Sequence, residues 1–183
     1  MTSVRLEAAE LVFLEGNPML IREVVTEDAE RFLQLIKEVE DKSKFMLYEA
    51  GERKMTADKQ RQQIEIITKQ TNATILIAEE KGDFCGYLMV IGGNAQRKKH
   101  TAYIVVGVLD EYRGKGIGTL LFQKLDAWAI THEIVRLELT VVTQNEAGVN
   151  LYKKMGYEIE GTKKKSLMID GTVYDEYYMA KLR

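Results

Sequence analysis

The 183-residue sequence is poor in several things, and each shortage excludes a class of protein. A single cysteine, Cys85, rules out an internal disulfide. With only two histidines, His100 and His132, it also argues against a structural zinc site, so no metal is expected. One proline, Pro18, leaves no stiff linker along which to divide the chain. No apolar run approaches the ~20 residues of a membrane-spanning helix, so no membrane association is expected. Charge of one sign is lacking too: 26 Lys+Arg against 28 Asp+Glu give a net charge of -2, without the basic excess of a polyanion binder, so nucleic acid is not an expected partner. Met1–Glu10 carries Arg5, Glu7 and Glu10 but no apolar h-region, so no secretory leader and a cytoplasmic location are expected.

What remains is an ordinary globular composition, 45% hydrophobic and 30% charged, at a length that buries a real core in one domain. The expected organisation is one domain over 1–183, with 1–18 as an N-terminal extension. Glu10–Leu14 is a candidate short strand, Glu15-Gly16-Asn17-Pro18 a turn, and Met19–Val25 a strand. Thr26 is placed as an N-cap ahead of a helix whose apolar face is Ala29, Phe32, Leu33, Leu35, Ile36 and Val39. Glu40–Met55 has no clean period and reads as a long loop or partial helix. Thr56 caps a second helix with Ile64 and Ile67, and Ile66 as a further candidate, facing inward. Ala73–Glu80 and Phe84–Ile91 form a hairpin around Lys81-Gly82-Asp83. A strand from His100 to Val108 then leads through a glycine-rich turn into a helix ending near Thr131. Ile134–Val142 is a strand and Asn145–Met155 a short helix capped by Gly156. The last hairpin, Tyr157–Met168 with Val173–Leu182, turns at Asp170-Gly171. This order predicts an α/β fold: a mixed, mostly antiparallel central sheet flanked by helices.

The chemistry concentrates in Arg113, Gly114, Lys115, Gly116, Ile117, Gly118 and Thr119. A strand, a glycine-rich turn and a helix start aim backbone N–H groups and the positive end of a helix dipole at one point, an anion site suited to phosphate. Two familiar phosphate loops fail on spacing. No window supplies Gly-x4-Gly-Lys-Ser/Thr, and Gly-x-Gly-x-Gly with Leu109–Arg113 intervening is not the dinucleotide fingerprint. The remaining pattern, Arg-x-x-Gly-x-Gly at Arg113, Gly116 and Gly118, resembles the acyl-CoA-binding motif of the GNAT N-acetyltransferases. A second segment, Asn145 to Tyr157, is similar to that family's Asn-x-x-Ala-x-x-Leu-Tyr-x-Lys-x-Gly-Phe pattern, with Gly148 for Ala and Tyr157 for Phe.

The resemblance covers Leu20–Leu182 and implies the GNAT fold, acetyl-CoA as co-substrate, and transfer of its acetyl group to a primary amine. It implies that the backbone of Val106, Gly107 and Val108 pairs with the pantetheine arm as an added strand. Gly107 reads either as a bulge that splays the sheet or as a packing glycine. The Val108 N–H is the candidate oxyanion donor. Asn145 contacts the cofactor or caps its helix, and Tyr152 matches the family's general acid, against the alternative of a core aromatic beside Leu151. His100 and Glu138 are the candidate bases, each against a plainer role at a solvated strand end or in the sheet. His132 is expected at a helix C-terminus, Cys85 as a buried structural thiol in preference to an acyl-transfer nucleophile, and Lys163-Lys164-Lys165 as a solvated edge, with help in holding phosphate as the alternative. The acceptor pocket is expected between Glu40–Met55 and the Asp170-Gly171 hairpin, with its amine unidentified. A homodimer is an allowed assembly. Two rivals stand beside catalysis: a non-catalytic acyl-CoA sensor, and an interaction domain whose sheet edge binds a peptide.

Overall fold

The computed structural model describes residues 9–14 and 16–183. Residues 1–8, read above as part of an extension without a leader, and Glu15, read as part of a turn, lie outside the described residues.

Among the described residues eight strands form one sheet: β1 (Glu10–Leu14), β2 (Asn17–Glu23), β3 (Thr74–Glu80), β4 (Asp83–Gly92), β5 (Thr101–Val108), β6 (Arg136–Val142), β7 (Glu158–Ile169) and β8 (Thr172–Leu182). Their spatial order is β1-β2-β3-β4-β5-β6-β8-β7. Only β5 and β6 pair in parallel, because a helix, α3 (Ile117–Thr131), connects them. The fold class read from the sequence is the one observed. Glu10–Leu14, within the segment expected as an extension, is an edge strand paired with β2 through Gly16, whose φ is +84°.

Period-2 alternation divides the apolar residues between two layers. Leu76, Leu88, Ala102, Ile104, Leu137, Leu139 and Met179 face α3 and α4 (Glu146–Lys154), meeting Leu121, Phe122, Leu125, Trp128 and Val149. Ile75, Ile77, Tyr87 and Val105 face the opposite way, against Phe32, Leu35, Ile36 and Val39 of α1 (Ala29–Lys42) and Ile64 of α2 (Ala57–Thr68). Ile67 is partly buried there, whereas Ile66 is solvent-exposed. The α1–α2 layer packs on β3, β4 and β5.

The start of α1 departs from the sequence reading. Thr26 opens a 3-10 turn, Thr26–Asp28, and does not cap the helix. Asp28 holds the N-cap position of α1 without a side-chain bond to the helix; its carboxylate accepts from the Val25 N–H at 2.9 Å and from Arg22 Nη1 at 2.6 Å. The carboxylate, bonded to the Val25 N–H and to a strand guanidinium, holds the 3-10 turn that contains Thr26. Thr56 does cap α2, accepting from the Lys59 N–H at 3.3 Å.

Candidate active site

The site is built where β5 and β6 part. They pair only at Thr101–Arg136, Ala102–Leu137 and Tyr103–Glu138, and then diverge. β4 and β5 meanwhile stay in unbroken register from Gly86–Val108 to Gly92–Ala102. The Gly93 N–H donates to the Thr101 carbonyl and the Leu109 N–H to the Cys85 carbonyl, each at 3.0 Å. In an antiparallel ladder those bonds alternate, so odd-numbered residues of β5 exchange bonds with β4 and even-numbered ones point the other way. Val106 and Val108 therefore turn their N–H groups toward the opening beside β6. Gly107 is not a bulge. A Cβ there would lie 2.6 Å from the Tyr87 ring, so it is a packing glycine, and the splay comes from β6 leaving β5.

At the wide end of the opening lies the glycine turn. Gly114 and Gly116 have φ of +74° and +89°, a left-handed conformation that glycine adopts without strain. Gly116 is the N-cap of α3, and the first intrahelical bond shown there is Leu120 N–H to the Gly116 carbonyl at 3.1 Å. The N–H groups of Ile117, Gly118 and Thr119 occupy the helix's first turn, where donors lack intrahelical acceptors. A Cβ at Gly118 would lie 2.7 Å from Leu151 Cδ2, so α4 packs directly onto the start of α3. Arg113 folds back, with Nε donating to the Val108 carbonyl at 3.3 Å and Nη1 paired with Asp110 at 2.6 Å. That pairing was not read from the sequence, although the i,i+3 spacing is its signal. Lys115 Nζ lies 5.1 Å from the Tyr112 ring centroid.

Tyr152 of α4 is buried, in the core cluster shared with α3 and the sheet. Its ring packs edge-on against Phe122 at 5.6 Å and is tilted toward Tyr157 at 6.3 Å. Burial, then the neighbouring Tyr103, pushes its pKa well above the ordinary phenol value, so the hydroxyl stays protonated at neutral pH. Asn145 is the N-cap of α4, its Oδ1 accepting from the Gly148 N–H at 3.1 Å. Gly148 permits that closeness, since a Cβ there would sit 2.8 Å from Asn145 Nδ2.

The narrow end is closed by a bond that the sequence reading missed. Tyr103 Oη and Thr140 Oγ1 lie 2.7 Å apart, joining β5 to β6 across the first step past their last pairing. The one available signal was a tyrosine in an apolar strand, whose hydroxyl needs a partner. Beyond it a cavity of about 420 Å³ is lined by Tyr103, Arg136, Glu138, Leu139, Glu160, Tyr178 and Met179. Glu138 lines this cavity, and Arg136 Nε holds its carboxylate at 2.6 Å while Nη1 binds Glu160 at 2.9 Å. Hydrogen bonds from Arg136 hold the Glu160 carboxyl below its usual range.

His100 is not brought here. It is exposed at the start of β5, ~20 Å of extended strand before Val106, and its carbonyl accepts from the Val135 and Arg136 N–H groups. His132 stacks on Trp128 at 4.2 Å at the C-terminus of α3, as expected. Cys85 is buried, donating to the Ala78 carbonyl at 3.2 Å, and burial pushes its pKa up to about 12, which fits a structural thiol. Lys163 and Lys164 lie on the edge strand β7 beside Glu176 and Asp175. The two segments expected to flank the acceptor do meet, Lys44 Nζ lying 5.6 Å from the Tyr174 ring. Arg53 pins the first of them to buried Glu40, with Nε to Oε2 at 2.9 Å. Among the described residues no cluster of metal-ligating side chains occurs, and no helix is long and apolar enough to cross a membrane.

Residues 33–157 match the acetyltransferase (GNAT) family. The chain belongs to the GNAT acetyltransferase family. Membership classes it with the acetyl-CoA-dependent N-acetyltransferases. An L-amino acid N-acetyltransferase of Escherichia coli is 33% identical over 112 residues, which are 59% of this chain and 67% of that protein. Of other acetyltransferase relatives the chain spans 52 to 59% of their length. The crystal structure of a GNAT-family acetyltransferase from Streptococcus pneumoniae superposes with a TM-score of 0.87 at 28% identity, covering 90% of this chain and 98% of that one. The fold is shared too with an acetyltransferase from Salmonella typhimurium solved with acetyl-CoA, with a TM-score of 0.80 at 19% identity over 90% of this chain and 93% of that one.

Proposed function

We propose that this GNAT protein transfers the acetyl group of acetyl-CoA to a primary amine of a small molecule or peptide, by direct attack within a ternary complex. The observation that carries the reading is the opening between β5 and β6, with the glycine turn leading from the end of β5 into α3. The pyrophosphate rests on the first-turn N–H groups of α3, with Gly114 and Gly116 letting the backbone approach it. The pantetheine arm lies along β5 as an added strand, pairing with the backbone of Val106–Val108. The N–H groups of Val106 and Val108 are the donors available to the developing oxyanion, and a fixed N–H in a water-poor cleft stabilises that charge without reorganisation.

The neutral amine attacks the thioester carbonyl from the α1 side. The new C–N bond forms, the C–S bond breaks, and Tyr152 protonates the departing sulfur. Because a thiol ionises near pH ~8.5, this proton assists departure and is not indispensable. Glu138, held by Arg136, takes up the amine's proton through water or anchors its ammonium form. Acceptance of an amino acid is favoured by the relative named as an L-amino acid N-acetyltransferase. The test is thiol release from acetyl-CoA across a panel of L-amino acids, polyamines, simple alkylamines and peptides with free N-termini. Saturable release with at least one amine supports transfer. Binding of acetyl-CoA with no release across the panel would instead favour the non-catalytic sensor.

A further inference from the structure

We propose that Tyr103, fixed by its hydroxyl bond to Thr140, is the stop that limits the acyl group to acetyl. The inference rests on the acetyl-CoA reading above and deepens it to the acyl donor's chain length.

A pantetheine arm of roughly thirteen bonds is ~16 Å long when extended. With the pyrophosphate at the start of α3 and the thioester carbonyl on the Val106 N–H, the arm enters beside Val108 and runs toward the vertex where β5 and β6 join. The acyl group then lies beside Val106 and next to Thr140, which is two residues past the Tyr103–Glu138 pairing and so about level with Val105. There the Tyr103 side chain crosses from β5 to β6, its hydroxyl 2.7 Å from Thr140 Oγ1. The acyl methyl meets the ring of a side chain tethered at both ends. The Tyr103 ring also lines a cavity of about 420 Å³, together with Leu139, Tyr178, Met179 and the ion-paired Arg136, Glu138 and Glu160. Chain length is thus limited by this one side chain. Its tether matters because an untethered tyrosine reaches other rotamers at little cost.

The test compares acetyl-, propionyl- and butyryl-CoA as donors for wild type, Tyr103→Ala and Tyr103→Phe. A methylene accepted or rejected by an apolar pocket changes kcat/KM by about 10–200-fold. Tyr103→Ala should raise the butyryl-to-acetyl ratio of kcat/KM at least ~10-fold. Tyr103→Phe, which keeps the ring and loses the tether, should shift the ratio less than Tyr103→Ala does. A ratio unchanged in a folded Tyr103→Ala protein overturns the proposal, and Tyr103→Val serves if the alanine variant does not fold. Failure of the transfer reading is distinguishable: a wild type that binds acyl-CoA without turnover allows the same comparison through butyryl-to-acetyl ratios of Kd. A wild type that binds no acyl-CoA removes both proposals.

Discussion

Gly107 lies so close to Tyr87 that a Cβ would sit 2.6 Å from the ring and 2.9 Å from a Val39 methyl. Tyr87 cannot retreat, because Phe32 packs on it edge-to-face at 5.6 Å in the fully buried layer under α1. Gly107→Ala should therefore destabilise the protein by about 1–3 kcal/mol, the usual cost of an overpacked core. Chemical denaturation at equilibrium reads this directly. The substitution should also weaken acetyl-CoA binding, since the only relief available is movement of β5 itself.

Gly114 is the opposite case. Nothing lies within 4 Å of a Cβ there, but its φ is +74°. Gly114→Ala should cost about 1–2 kcal/mol from backbone handedness alone, with no steric contribution. Gly118→Ala meets the end of Leu151, a flexible side chain that can turn aside. Measured side by side, Gly114→Ala should lose stability and acetyl-CoA affinity together. Gly118→Ala should lose less of both.

Local patterns carried the sequence reading a long way. Period-2 runs and the Lys81-Gly82-Asp83 and Asp170-Gly171 turns locate the hairpins, and the three-four spacing from Ala29 to Val39 locates α1. The turn from Arg113 to Thr119 and the Asn145–Tyr152 segment were both visible as motifs, and the structure packs one on the other, Leu151 lying against Gly118. What was not visible depends on strand order. Whether Gly107 is a bulge is settled by Tyr87, twenty residues earlier and on a neighbouring strand. The Tyr103–Thr140 bond and the Arg136 pairs to Glu138 and Glu160 likewise join elements whose adjacency no local pattern encodes. Thr26 was misread for a related reason: its rival for the capping position, Asp28, gains from Arg22 on a different element.

That Arg22–Asp28 pair predicts an acid limit to stability. Burial alone would raise the Asp28 carboxyl, but hydrogen bonds from Arg22 and the Val25 N–H, with the Arg22 and Arg31 charges, outweigh it and hold the pKa below its ordinary value. A group depressed in the folded state contributes stability above its unfolded pKa, about 3.9 for Asp, and loses it as pH falls through the folded value. The contribution should be flat from neutral pH to about pH 5 and decline below about pH 4. Asp28→Asn should flatten the acid limb of a stability–pH curve while lowering stability at pH 7.

Tyr152→Phe keeps the edge-on contact with Phe122 and removes one hydroxyl. With Tyr152 as general acid, kcat should fall by up to ~100-fold, the low end for such catalysis because a thiolate leaves readily. The Kd for acetyl-CoA should change little. Since burial raises the Tyr152 pKa, wild-type kcat should show no loss from its ionisation through the neutral and mildly alkaline range. Equal kcat in both proteins would remove Tyr152 from the chemistry.

The central claim is that the opening between β5 and β6 holds acetyl-CoA, and unfolding of the full chain with and without that ligand tests it most directly. A single site occupied at 100 times Kd adds about 2.7 kcal/mol, so the unfolding midpoint should rise with acetyl-CoA concentration, and less in Gly114→Ala. No rise at millimolar acetyl-CoA, in a wild-type protein that unfolds cooperatively, would contradict the account.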